Sequence, residues 1–206
     1  MTTMYSGIIQ TTQPVVSIDE QDQLRRIGIQ FSAAALQGLI LGASVSVDGV
    51  CLTVAAIEKE IVFMDVMIET LRKTTLGELT IGQKVNIERS LKMGDEIGGH
   101  QMAGHVYGTA TISEKRDEGK TVIMTFHVPV EWMKYIVEKG FIAVNGVSLT
   151  VSYANNTAGT FQVYFIPETI ARTSFAHKQV GDRVNIEIDH MTQVMVETVE
   201  RIMKQQ

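Results

Sequence analysis

The chain has 206 residues, 45% of them hydrophobic and 20% charged, which is ordinary for a globular protein and enough for one large domain or two small ones. Eighteen Lys and Arg against 23 Asp and Glu leave a net charge of −5 without basic blocks, which argues against sequence-independent nucleic-acid binding. A single cysteine excludes an internal disulfide framework and a cysteine-based zinc site. No apolar run is long enough for a transmembrane helix, and the first residues lack the basic-then-apolar pattern of a secretory leader, so a cytoplasmic protein is expected.

In chain order, residues 32–39 read as a short helical piece. Residues 44–47 alternate, Asp48-Gly49 is a turn dipeptide, and residues 50–54 resume apolar and β-branched character, which together predict a hairpin. Residues 61–66 and 84–88 are further strands. Residues 129–138 are helical in pattern, Asn145-Gly146 marks a second hairpin, and residues 160–165 and 183–188 are strands. Met191, Val194, Met195, Val199, Ile202 and Met203 then fall at helical spacing, with charged residues between them. That amphipathic tail either packs on its own chain or joins subunits.

The chain also repeats itself. Val47-Asp48-Gly49-Val50-Cys51-Leu52-Thr53-Val54 recurs 97 residues later as Val144-Asn145-Gly146-Val147-Ser148-Leu149-Thr150-Val151, identical at six of eight positions. Val85-Asn86-Ile87-Glu88 recurs 99 residues later as Val184-Asn185-Ile186-Glu187. The two extra residues are most simply placed in the loop 155–159. The pattern predicts a duplication: a first copy over 1–98, a second over 99–190 and a helix over 191–206. Each copy is too long for a solenoid repeat, and several short strands per copy argue for a small closed β-barrel able to hold one ligand at its mouth.

Met4-Tyr5-Ser6-Gly7-Ile8-Ile9, the paired Gly-Val-Cys-Leu-Thr-Val and Gly-Val-Ser-Leu-Thr-Val, Gly98-Gly99-His100 through Gly104-His105-Val106, and Ile166-Pro167-Glu168-Thr169 resemble the riboflavin synthase family over nearly the whole chain. The resemblance implies a mainly β fold: two tandem, homologous, six-stranded Greek-key-like closed barrels plus a C-terminal helix that assembles a homotrimer. It implies that each barrel binds one 6,7-dimethyl-8-ribityllumazine between subunits. One lumazine passes a four-carbon unit to the other, giving riboflavin and 5-amino-6-ribitylamino-pyrimidinedione. No metal, organic cofactor, nucleic acid or membrane partner is implied. The lumazine proteins of luminous bacteria share the fold and bind lumazine or flavin without synthesis, which makes a non-catalytic binder the alternative.

By the same resemblance, Ser44, Cys51 and His105 are the catalytic candidates. The binding segments come in pairs: Gly7, Ile8 and Ile9 with Gly104, His105 and Val106; Cys51, Leu52 and Thr53 with Ser148, Leu149 and Thr150. Asp65, Val66, Met67, Ile68, Glu69 and Thr70 pair with Tyr164, Phe165, Ile166, Pro167, Glu168 and Thr169. Lys139 matches a position that reaches across the subunit boundary. Asp48 and Asn145 are exchanged relative to the family, which usually has a neutral residue in the first copy and Asp in the second. Either both face one inter-barrel site and the carboxylate is retained from the other side, or both are plain turn residues.

Overall fold

In the computed structural model, which describes residues 4–205, twelve strands form two closed barrels. The outermost residues of the sequence divisions, 1–3 and 206, lie outside the described residues. The first barrel contains β1 (Thr11–Gln21), β2 (Leu24–Gln30), β3 (Ser44–Val47), β4 (Val50–Glu58), β5 (Ile61–Met67) and β6 (Lys84–Arg89), in the cyclic order β1-β2-β5-β4-β3-β6. The second contains β7 (Gly108–Glu118), β8 (Thr121–His127), β9 (Phe141–Val144), β10 (Val147–Asn155), β11 (Thr160–Phe165) and β12 (Arg183–Ile188), and repeats that order strand for strand. All neighbours are antiparallel, so closure leaves no free edge.

The duplication extends to irregularities. The β1–β2 register shifts between Val15 and Ser17, and β7–β8 shifts between Ile112 and Glu114; β4–β5 shifts at Val54/Ala56 and β10–β11 at Val151/Tyr153. Bulges at matched positions bend both sheets in the same places, which closing so few strands requires. The 97-to-99 offset also has its cause: β4 and β5 are joined by Lys59-Glu60, whereas β10 and β11 are joined by the longer turn 156–159.

Strand alternation builds the two cores. Val45, Val47, Val50, Leu52 and Val54 point inward in the first barrel, and Ile142, Val144, Val147, Leu149 and Val151 in the second. Phe126, Phe161, Phe165 and Phe175 fill the second barrel with ring-on-ring contacts.

Helices are short where they cap the barrels: α1 (Ala33–Leu36), α2 (Ile68–Lys73) and α3 (Pro167–Arg172). The helical reading of 32–39 therefore contracts to one turn, and that of 129–138 becomes a 3₁₀ helix over Val130–Tyr135. Pieces this short gain little from helix propagation, so local packing decides between a turn or two of α-helix, as in α1, α2 and α3, and a 3₁₀ helix. The tail forms α4 (His190–Met203), capped by Asp189, whose carboxylate accepts the Thr192 N–H at 2.8 Å. One face of α4 docks on the second barrel through Val196, Lys134–Glu200 at 2.8 Å and Tyr135 to Glu197. The opposite stripe, Met191, Val194, Met195, Val199, Ile202 and Met203, is exposed along its whole length.

The barrels meet on an internal pseudo-twofold axis. Tyr5 and its counterpart Met102 exchange main-chain hydrogen bonds at 2.9 and 3.0 Å. Asn86 donates its side-chain N–H to the Asn145 carbonyl, and Asn185 donates to the Asp48 carbonyl. The remaining amide oxygens accept from Ser174 N and Thr75 N, so both buried Asn side chains bridge the two halves.

Candidate functional site

On the first barrel, Ser44 lies opposite Thr53 and Ser46 opposite Cys51. The valines and leucine between them turn inward, so these four polar residues share the outer face. A cavity of about 240 Å³ opens beside that face, lined by Val50, Cys51, Glu69, Thr70, Lys73, Thr74, Gly104, His105 and Val106. The structure thus brings together Cys51, Glu69, Thr70 and the segment Gly104–Val106, which are far apart in sequence. Ser44 lies on the same face as Cys51, one strand over, and makes its own contacts.

What carries Gly104–Val106 to the first barrel is a crossing segment. Cys51 N–H donates to the Gly104 carbonyl at 2.9 Å, although Gly104 belongs to the second copy. The reciprocal bond joins Ser148 N–H to the Gly7 carbonyl at 2.9 Å. Both glycines have φ of +75°, and a Cβ on either would lie 2.5–2.6 Å from the Cβ of Ser148 or Cys51. Only glycine admits this approach.

Two buried carboxylates hold the crossing segments. Glu88 accepts Ser6 N–H and Ser6 O–H at 2.7 Å and Gly7 N–H at 3.0 Å. Glu187 accepts Ala103 N–H at 2.7 Å and Gly104 N–H at 3.0 Å. Burial pushes both carboxyls upward and these N–H donors pull them back. Tyr5, fully buried, donates its hydroxyl to Cys51 Sγ at 3.1 Å; desolvation, then that bond, raises the phenol far above its ordinary value.

The second barrel repeats the backbone but not the chemistry. Phe141 stands at the position of Ser44, Ala143 at that of Ser46, Ser148 at that of Cys51 and Thr150 at that of Thr53. His100 Nδ1 lies 2.7 Å from Ser148 Oγ, and its ring stacks on Phe141 with centroids 5.1 Å apart. Desolvation lowers its pKa, and Nε2 is buried without a partner among the described residues. The sequence names His100 only within the Gly98-Gly99-His100 motif and gives no local signal for these partners.

Other expected binding residues separate by orientation. Leu52, Leu149, Val66 and Phe165 turn into the barrel cores, so only their main-chain groups face outward partners. Asp65 is held by Arg26 through two bonds of 2.7 and 2.8 Å, and that guanidinium keeps its carboxyl below the usual range. Glu168 pairs with Arg172 one turn along α3. Ile8, Met67, Tyr164 and Ile166 are exposed, Ile9 is buried, Ile68 and Thr169 are half-buried, and Pro167 is exposed at the start of α3. Lys139 occupies a left-handed turn with φ of +66°, its N–H donating to the Val151 carbonyl.

Asp48 and Asn145 do not join this cavity. With φ of 45° and 46°, each followed by a positive-φ glycine, they form paired hairpin turns on the pseudo-twofold axis. Each side-chain oxygen accepts a strand N–H of its own barrel: Asp48 from Asn86 at 2.8 Å, Asn145 from Asn185 at 2.7 Å. Both side chains are buried by the facing barrel, and desolvation raises Asp48 to about 6. Of the two alternatives, the geometry fits the turn residues; the twofold packing of Gly49 on Gly146 leaves no room for a ligand between them.

Residues 6–90 and 103–189 each match the lumazine binding domain family. The chain is 46% identical over 201 residues to riboflavin synthase of Escherichia coli strain K12, covering 97% of this chain and 93% of that protein. It is 44% identical over 200 residues to riboflavin synthase of Chlamydia pneumoniae, covering 97% of both. Among solved structures, LumP complexed with 6,7-dimethyl-8-(1'-D-ribityl)lumazine superposes with a TM-score of 0.81 at 25% identity, over 90% of this chain and 99% of that one.

Proposed function

This chain belongs to the lumazine binding domain family, and from that premise we propose that it is a riboflavin synthase, converting two 6,7-dimethyl-8-ribityllumazines to riboflavin and 5-amino-6-ribitylamino-pyrimidinedione. The observation that carries the reading is the cavity on the first barrel, where Cys51 and His105, from different copies, share one opening. In this reading residues 1–98 and 99–190 are the lumazine-binding barrels and 191–206 the assembly helix.

The reaction removes a proton from the 7-methyl of one lumazine, spreading negative charge into its ring, and adds a nucleophile to the other. Carbon–carbon bonds then form between the two, and a four-carbon unit moves across as the added nucleophile leaves. Ser44 and Cys51 are the polar groups placed to deliver or activate the nucleophile, and His105 to handle the proton. Thr53, Thr70, Thr150 and Thr169 suit ribityl hydroxyls and ring polar atoms, and main-chain groups of Gly7–Ile9, Gly104–Val106 and the β4 and β10 edges suit the pteridine. A cavity of about 240 Å³ takes one flat heterocycle rather than a stacked pair. In this reading the second wall is supplied by another copy, with Lys139 reaching across. No metal or organic cofactor enters this scheme, and the proposed setting is the cytoplasm.

Incubation of the protein with dimethylribityllumazine alone should produce riboflavin, seen by its absorbance and green fluorescence. A non-reacting lumazine analogue should titrate to two per chain. Tight binding without riboflavin would replace this reading with a lumazine-protein-type binder.

The exposed stripe of α4 is proposed to hold a homotrimer together. Burying side chains of that size is worth about 1.5–3 kcal/mol each, ample for assembly. Truncation after Asp189 should shift the solution mass from trimer to monomer and cut riboflavin formation, with the barrels still folded. A truncated trimer of full activity would refute the assignment.

A further inference from the structure

Glu88 is 1% exposed and Glu187 is 7% exposed. A carboxylate buried to that degree is costly unless hydrogen bonds satisfy it, and here the donors are mostly main-chain N–H groups of a single short segment in each case. Those segments do not end at the barrel that owns the carboxylate. Glu88, on β6 of the first barrel, fixes Ser6-Gly7, and the Gly7 carbonyl then takes the Ser148 N–H on β10 of the second. Glu187, on β12 of the second barrel, fixes Ala103-Gly104, and the Gly104 carbonyl takes the Cys51 N–H on β4 of the first.

We propose that Glu88 and Glu187 are positioning residues that act crosswise, each setting the ligand face of the opposite barrel. Glu187 sets the Cys51 face and the placing of His105 beside it; Glu88 sets the Ser148 face. The ligand part rests on the reading of these faces as lumazine sites. The wiring itself rests only on the hydrogen bonds. The two clamps differ in one side-chain donor: Ser6 O–H adds a third donor to Glu88, and Ala103 at the matching position has none to give to Glu187.

The test reads two amides in the full-length ¹⁵N-labelled protein by hydrogen exchange. Glu187→Gln should speed exchange of the Cys51 amide by about 10-fold or more and leave Ser148 unchanged, and Glu88→Gln should do the reverse. Lumazine-analogue binding should weaken by a similar factor at the affected site only. Occupancy of the first site is read by protection of Cys51 from iodoacetamide, and of the second by the shift of the Ser148 amide. Two milder variants keep the test decisive if the glutamines do not fold. Ala103→Ser restores the missing donor and should slow Cys51 exchange by about threefold, while Ser6→Ala should speed Ser148 exchange by a similar factor. Equal changes at both amides in any variant, or changes on the carboxylate's own barrel, would overturn the proposal. A crosswise pattern in the variants, together with a wild-type protein that binds no analogue, would overturn the ligand reading and leave the wiring standing.

Discussion

Gly104→Ala is expected to lower the unfolding free energy by about 2–6 kcal/mol and to abolish ligand binding at the Cys51 face. Two costs add. An alanine at φ of +75° carries backbone strain of about 1–3 kcal/mol. Its Cβ would also sit 2.6 Å from Cys51 Cβ and 2.9 Å from Cys51 N, and forcing those atoms apart costs a further amount of about 1–3 kcal/mol. Neither contact is the end of a flexible side chain. Gly119→Ala separates the two costs, since Gly119 has φ of +65° with nothing within 4 Å of the added carbon. It should cost only about 1–2 kcal/mol. Urea unfolding of both variants at unchanged m-value checks this, and equal midpoints would mean that the close approach of the crossing segment contributes nothing.

The Asp48→Asn variant should separate from wild type in how stability depends on pH. Burial raises the Asp48 carboxyl to about 6 in the folded protein, against about 3.9 in the unfolded chain. The folded state therefore holds the proton more tightly, and ionisation works against folding. The penalty is absent below about pH 4, grows as the pH rises, and is complete above about pH 6. Its full size is about 3 kcal/mol at about 1.4 kcal/mol per unit. Asparagine has no such titration, and its oxygen can accept the Asn86 N–H as Asn145 accepts that of Asn185. The variant-minus-wild-type difference in unfolding free energy should climb between pH 4 and pH 7 by an amount approaching that figure. Riboflavin formation should stay close to wild type, because Asp48 faces the twofold turn contact and not the Cys51 cavity. A flat difference would show that the carboxyl is not desolvated. A large loss of turnover would restore the view that a carboxylate at this position serves the reaction.

That pair also marks where sequence reading ends. The repeat, the hairpins at Asp48-Gly49 and Asn145-Gly146, and the strands at 160–165 and 183–188 were legible because alternation and turn dipeptides are local signals. The offset of two residues fell in the loop where side-chain types placed it. The six-residue helices α2 and α3 were not legible, being too short to show a helical period. The site was half legible. Paired segments pointed to Cys51, Thr70 and His105, but no local pattern says that Gly104 crosses to the other copy's strand. Glu88 and Glu187 were in view as part of the repeat. A glutamate kept in both copies at the end of a strand was the available signal for a buried anion, and it was used only to establish register. The setting of His100 was not legible for a related reason: its partners, Ser148 and Phe141, are more than 40 residues away.

The unlike outer faces bear on a problem that any reaction between two copies of the same molecule must solve. The partners enter identical and leave different, so something must break the symmetry, and the small molecules cannot. The folding pattern cannot either, since the bulges, the Asp48-Gly49 and Asn145-Gly146 turns and the crossing bonds agree between the halves. The distinction is left to a handful of side chains: Ser44 against Phe141, Ser46 against Ala143, Cys51 against Ser148. A gene copied once supplies two equal berths. In the proposed reading, divergence at those few outward strand positions, with the inward ones apolar in both copies, is what would let one berth give and the other receive.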